Sequence, residues 1–280
     1  MATNLPKTDV VVIGLGAVGG VAVLPLVNAG LNVIGLEAGG WFSNRDFAPD
    51  EVRNNLRDWP QQVAKAKNNF EAVQGGGHPM MNGVGGTSLH YWAQSWRLNP
   101  WDFKTVSETT ARYGAHRIPE NSTVEDWPIS YDDLEPYYDR VEYAIGVSGN
   151  AGNINGSKQA NGNPFEGPRA RAYPMPGLRS SGYTDMMSDA ARQLGWTPFQ
   201  GPAAINTEVY GDRPGCFYHG YCDRGGCHVN AKSSTAVTTI PEALKSGLLK
   251  VVTHARVLKI LNDADGRVTG VEYLLGNQVM

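Results

Sequence analysis

Three glycines stand in the run Gly14-Leu15-Gly16-Ala17-Val18-Gly19, directly after the apolar stretch Asp9-Val10-Val11-Val12-Ile13. A second apolar stretch, Leu31 to Leu36, ends in the carboxylate of Glu37. That acid follows the glycines at about the 20-residue distance expected of a dinucleotide-binding βαβ unit. Each part has its chemistry. Gly14 allows the tight turn from strand to helix, Gly16 lets the backbone approach a pyrophosphate, and Gly19 lets the helix pack closely on the strand. The N–H groups at the helix start are aimed at the phosphates, and the Glu37 carboxylate can accept from both ribose hydroxyls. Its charge repels a 2′-phosphate, which favours FAD or NAD over NADP.

The elements that must hold these residues follow from the same stretch. A helix is predicted from Ala17 to Ala29, stopped by Gly30 and interrupted by Pro25, where a missing hydrogen bond predicts a kink. Glycines, Pro25, Asn28 and Asn32 argue against reading Val10 to Leu36 as a membrane span. With 280 residues and 41% hydrophobic content the chain can bury a sizeable core. Its net charge of −3 and lack of a long basic run give no footprint for nucleic acid or an anionic membrane surface. Met1 to Thr8 lacks the apolar core of a signal peptide. The 34 glycines and 17 prolines gather in loops such as Gly75-Gly76-Gly77, residues 150–167 and Tyr173-Pro174-Met175-Pro176. Residues 150–163 have almost no apolar anchor and read as a mobile surface loop. Further helices are expected after the cap Ser130, with Tyr137, Tyr138, Val141 and Ile145 as the apolar face, and from Ala231 to Ser246. Strands follow between Leu249 and Leu275 around the turn Asp263-Ala264-Asp265-Gly266.

A second run, Asn82-Gly83-Val84-Gly85-Gly86-Thr87-Ser88-Leu89-His90-Tyr91-Trp92, sets small residues ahead of a polar and aromatic cluster. Such a run lets backbone come close to a flat ligand, and read alone it is also a tight turn. The order of the first glycine motif, Glu37-Ala38-Gly39 and then V-G-G-T-S-x-H resembles the FAD domain of the glucose-methanol-choline (GMC) oxidoreductases. Arg97 to Phe103 and Asp126 to Tyr138 look like the branch of gluconate 2-dehydrogenase and bacterial FAD-dependent sugar dehydrogenases. The resemblance implies an α/β fold: a Rossmann-like FAD-binding domain of three layers, β/β/α, over residues 1–280. Residues 150–230 form a loop-rich excursion within it, and the substrate-binding domain is largely absent. The cofactor contacts it implies are Gly14, Gly16, Ala17, Gly19, Glu37, Ala38, Gly83, Val84, Gly86, Thr87, Ser88 and His90. Val257, as the backbone beside the adenine, completes them; otherwise it is strand core. For His90 three readings stand: a covalent bond to the flavin methyl group, a noncovalent flavin contact, or a hydrogen-bonded core histidine. His78, His116 and His254 read as surface or loop residues.

All three cysteines, Cys216, Cys222 and Cys227, lie within one glycine-bearing segment. Three soft thiolates can hold a three-iron cluster, and a [3Fe–4S] centre is what the resemblance implies here. The same cysteines with His219 or His228 make a Cys3His zinc set, and one disulfide plus a free thiol is the third reading. The resemblance implies an FAD-dependent oxidoreductase acting on CH–OH groups of an alcohol, sugar or sugar acid. It also implies electron transfer through an iron–sulfur cluster to a haem subunit or quinone, with a small subunit and a cytochrome c subunit as partners. The setting it implies is the periplasmic side of the inner membrane, and without a leader the alternative is the cytoplasm. Relatives carry their catalytic histidine later in the sequence, so the catalytic base is expected beyond residue 280. The alternatives are a noncatalytic FAD-binding fragment, a split-gene half needing a second chain, and a nicotinamide dehydrogenase.

Overall fold

The computed structural model describes residues 5–47, 81–220, 222 and 225–280. In chain order its strands and α-helices are β1 (Val10–Ile13), α1 (Ala17–Asn28), β2 (Val33–Leu36), α2 (Thr105–Tyr113), α3 (Tyr131–Ile145), β3 (Asn153–Ile154), β4 (Ser157–Lys158), α4 (Gly182–Gln193), α5 (Thr239–Lys245), β5 (Leu249–Val252), β6 (Ala255–Asn262), β7 (Val268–Leu275) and β8 (Gln278–Val279). They gather into two compact units, one of residues 1–93 and 216–280 and the other of residues 94–215. The second boundary falls inside the expected 150–230 excursion.

The first unit has three layers. Strands β1, β2 and β5 form a parallel sheet with β2 in the middle, Val10 opposite Val33 and Val33 opposite Leu249. Alternation sends successive side chains to opposite faces. Val10, Val12, Val33, Leu249 and Val251 join Val23 and Val27 of α1 and Ile240 and Ala243 of α5 in one core. Val11, Ile34, Leu36 and Val252 turn the other way, onto Val257, Val271 and Tyr273 of the antiparallel sheet β6-β7-β8. A sheet buried on both faces needs unbroken apolar strands, which is how β1 and β2 read. The β/β/α layering expected of the GMC FAD domain is therefore present.

Helix α1 runs from Ala17 to Asn28 with Pro25 inside it on its exposed side, and Gly30 at φ +80° ends the turn. The helix expected from Ala231 to Ser246 is shorter, starting only at Thr239. Hydroxyls compete with helix formation there: Thr238 donates to the Ser234 carbonyl at 2.7 Å and Thr235 to the distant Gly16 carbonyl at 3.2 Å.

In the second unit, Ser130 caps α3 as expected, its side chain accepting from the Asp133 N–H and the Asp133 carboxylate accepting from the Ser130 N–H. Of the expected apolar face of α3, Tyr138, Val141 and Ile145 are half-buried, and Tyr137 departs from it. Tyr137 is exposed, and Glu142 is buried because it meets two buried arginines, accepting from Arg97 Nε at 2.7 Å and from Arg169 Nη2. Residues 150–163 also differ from expectation. They hold the β3–β4 hairpin, and Gly152 and Asn153 are buried. Polar ties replace the missing apolar anchor: Glu166 accepts from the Gly152 N–H, and Asn153 Nδ2 donates to the Glu166 carbonyl at 3.2 Å.

Candidate functional site

The site is built where the parallel strands of the first unit end. Gly14 follows β1 at φ +83° and donates its N–H to the Leu36 carbonyl at 2.8 Å, so the chain turns there in a backbone conformation that L side chains rarely adopt. A Cβ on Gly19 would lie 2.0 Å from the Gly14 carbonyl oxygen, so only glycine lets α1 come this close to the turn. Gly16 is the N-cap of α1. Glycine brings no capping side chain to this end, and no acid lies in its first turn. Its leading N–H groups and the positive end of its dipole are thus left for an anionic group.

Glu37 follows β2 and is 6% exposed. Its Oε2 accepts from the Leu15 N–H and its Oε1 from the Gly39 N–H, both at 2.9 Å. The carboxylate therefore braces the glycine turn to the strand end, with each oxygen using one lone pair for these bonds.

The second glycine run meets the first. Gly85 donates to the Leu15 carbonyl at 2.7 Å and Val84 to the Gly40 carbonyl at 3.0 Å. A Cβ on Gly86, itself at φ +51°, would stand 2.8 Å from Gly16 Cα. The two turns thus touch through bare backbone, the close approach that a long, flat dinucleotide requires. Gly83, Val84, Gly86, Ser88 and His90 are buried around this junction, whereas Ala17, Ala38 and Thr87 are exposed at its margin. Val257 lies apart from the turns, partly buried in β6 opposite Tyr273. His116 and His254 are exposed, and His78 lies outside the described residues.

Sequence reasoning missed the segment that locks the turns together. Ser88 Oγ donates to the Gly85 carbonyl at 2.6 Å and accepts from the Thr235 N–H at 3.4 Å, while Thr239 donates to the Gly20 carbonyl. Gly20 has a structural reason to be glycine, since a Cβ there would lie 2.4 Å from Thr235. The run Lys232-Ser233-Ser234-Thr235, buried throughout, was the available signal: small hydroxyl residues between apolar ones suit close backbone contacts.

No disulfide joins Cys216, Cys222 and Cys227, all half-buried. The rings of His219 and His228 stack with centroids 4.7 Å apart. Burial pushes the Cys216 thiol above its usual range and the His219 imidazole below its own. Among the described residues no three His, Cys, Asp or Glu side chains stand together as a metal centre needs. Among the described residues no helix is long and apolar enough to cross a membrane.

Comparisons with known proteins agree with this architecture. The profile of the GMC oxidoreductases matches residues 77–280. The gluconate 2-dehydrogenase flavoprotein of Pantoea cypripedii is 31% identical over 99% of this chain and 49% of its own length. The fructose dehydrogenase large subunit of Gluconobacter japonicus is 30% identical over 98% of this chain and 50% of its own. The chain thus spans about half the length of the curated relatives it matches. Among solved structures, Aspergillus oryzae formate oxidase in its R554A form superposes with a TM-score of 0.55 at 14% identity, over 100% of this chain and 44% of that one. Glycine turns in contact, a braced acid and three layers coincide with a profile match over most of the sequence, and the chain belongs to the GMC oxidoreductase family.

Proposed function

We propose that this chain forms the FAD-binding part of an oxidoreductase acting on a CH–OH group of a sugar or sugar acid. The observation that carries the reading is the backbone contact of Gly16 with Gly86 beside the buried Glu37 carboxylate. The names of two relatives, for gluconate and fructose, support the substrate class, and a Mycolicibacterium austroafricanum protein 30% identical to this chain, named for 2-methyl-1,2-propanediol, supports CH–OH oxidation more broadly.

The residues present fit the cofactor. The uncapped N-terminus of α1 takes the pyrophosphate, Glu37 accepts from the ribose, and the bare Gly16 and Gly86 backbones line the pyrophosphate without a clash. Buried Val84 and Leu89 keep water from the junction. When bound, the flavin supplies the acceptor for a hydride leaving the alcohol carbon. No catalytic base is assigned among residues 1–280.

Finer parts of the proposal rest on the family resemblance. They are a flavin contact or covalent bond at His90, adenine contact at Val257, and an iron–sulfur centre on Cys216, Cys222 and Cys227. To these are added small and cytochrome c partner subunits and a periplasmic setting. The cluster has the cysteine spacing alone in its favour. Iron and acid-labile sulfide in anaerobically purified protein support it, and their absence removes it.

The test is direct. Purified protein should bind FAD at about one per chain, read by absorbance and by chromatography of the released cofactor. Binding of NAD instead, or of neither, overturns the reading. Acid precipitation that leaves flavin with the polypeptide in wild type but not in His90→Ala assigns the covalent bond. A second reading is a noncatalytic FAD-binding fragment, or a split-gene half that needs a second chain. Anaerobic bleaching of the flavin by gluconate, glucose or fructose supports the enzyme, and binding without bleaching supports the half.

A further inference from the structure

Lys232 is 4% exposed, and its ammonium group is held by carbonyl oxygens from two separate pieces of chain. It donates to the Gly225 carbonyl at 2.6 Å, the Tyr91 carbonyl at 2.8 Å and the Cys222 carbonyl at 3.4 Å. A lysine ammonium has three donors, and these carbonyls are acceptors for them among the described residues. Burying that charge is costly unless the donors are met, so the arrangement fixes both pieces of chain tightly.

The positions of the two pieces give the arrangement its meaning. Tyr91 follows His90 at the end of the second glycine run. Cys222 and Gly225 belong to the cysteine segment. Lys232 itself leads into Ser233-Ser234-Thr235, and Thr235 reaches both glycine turns, through the Gly16 carbonyl at 3.2 Å and Ser88 Oγ at 3.4 Å. The segment from Lys232 to Thr235 is therefore in direct polar contact with both cofactor turns and with the cysteine loop. Coupling between two sites needs an element whose arrangement both can bias. Here the candidate element is the pair of Lys232 hydrogen bonds to the Cys222 and Gly225 carbonyls, which can be made or broken.

We infer that Lys232 is a positioning residue that couples the cofactor site to the cysteine loop. Filling the cofactor site holds the Tyr91 carbonyl and the Thr235 contacts in place. Lys232 then keeps the loop tethered, so its thiols react more slowly. The inference rests on the FAD reading above and goes beyond it by tying cofactor occupancy to the state of a second, distant segment.

The experiment measures two things on the same 280-residue chain: FAD affinity by flavin fluorescence, and the rates at which individual cysteines react with a thiol reagent, resolved by peptide mass spectrometry. Both are taken with and without saturating FAD. Where the preparation contains iron, its release to a chelator is read in place of thiol modification. In wild type, FAD should slow modification of Cys222 and Cys227 by about tenfold, inside the roughly 5- to 150-fold range of linked sites. In Lys232→Met the dependence on FAD should vanish while FAD still binds. Lys232→Gln is the second variant, and amide hydrogen exchange of residues 225–230 in wild type with and without FAD gives a readout that needs no substitution. FAD that binds wild type without slowing thiol reaction or amide exchange overturns the coupling. Equal slowing in wild type and a folded Lys232 variant overturns the role of Lys232. Failure of wild type to bind FAD overturns the cofactor reading instead.

Discussion

Replacing Glu37 with glutamine keeps the shape of the side chain and removes its charge, which makes it the sharpest probe of the cofactor turn. The carboxylate is 6% exposed and accepts one N–H on each oxygen, from Leu15 and Gly39 at 2.9 Å. A glutamine amide can accept only one of these, so its NH2 group must face the other N–H. One buried N–H is then left unmet, at a cost of about 1–3 kcal/mol, and the other loses a charge-assisted partner worth roughly 1 kcal/mol more than a neutral one. The FAD-free protein should lose about 2–4 kcal/mol, read as a lower urea midpoint by circular dichroism. With the same carboxylate proposed to accept from the ribose, FAD affinity should fall separately by about 1–3 kcal/mol, or roughly 5- to 150-fold in Kd. A loss of stability below about 0.5 kcal/mol in Glu37→Gln would refute the brace. An unchanged Kd with the stability loss intact would refute the ribose contact and leave the brace standing.

Gly86→Ala places a methyl group 2.8 Å from Gly16 Cα at a positive φ, so it should force the two turns apart. The expected cost is about 1–3 kcal/mol of stability and most of the bound flavin, measured by denaturation and by flavin absorbance per protein. In the second unit, Glu142→Gln removes the carboxylate that the buried Arg97 and Arg169 share while each keeps a second one, Glu135 and Glu166, and should cost about 1–3 kcal/mol in a denaturation experiment. Asp139→Asn, at the exposed Arg171, should leave the midpoint nearly unchanged. Burial raises the Cys216 thiol, so the neutral form is favoured in the fold and the thiolate appears only at higher pH than in an ordinary thiol. The alkylation rate of Cys216, followed by peptide mass spectrometry in metal-free protein, should still be climbing at a pH where that of a model thiol has levelled off.

The unit from β1 to Glu37 was legible in the sequence because its constraints are local. A turn that needs positive φ selects Gly14, a helix that must touch a strand selects Gly19, and strands buried on both faces show unbroken apolar runs. The cap at Ser130 and the β6–β7 turn are local for the same reason. The second glycine run was visible too, and its order after the first pointed to the family before any contact was known.

Only the tertiary structure decided what these pieces touch. Nothing in the sequence placed Gly86 against Gly16, set Thr235 on both turns, or gathered three carbonyls around Lys232. Nor could the pattern of α3 show that Glu142 faces inward, or residues 150–163 that Glu166 would anchor a hairpin with almost no apolar residues. The reason is the same in each case. Whether a charged or hydroxylated side chain is solvated or buried depends on the partner that meets its hydrogen-bonding demand, and that partner lies far away in the sequence. Periodicity and turn chemistry report what a segment can do alone, whereas long-range polar pairing is fixed only when the layers have closed around it.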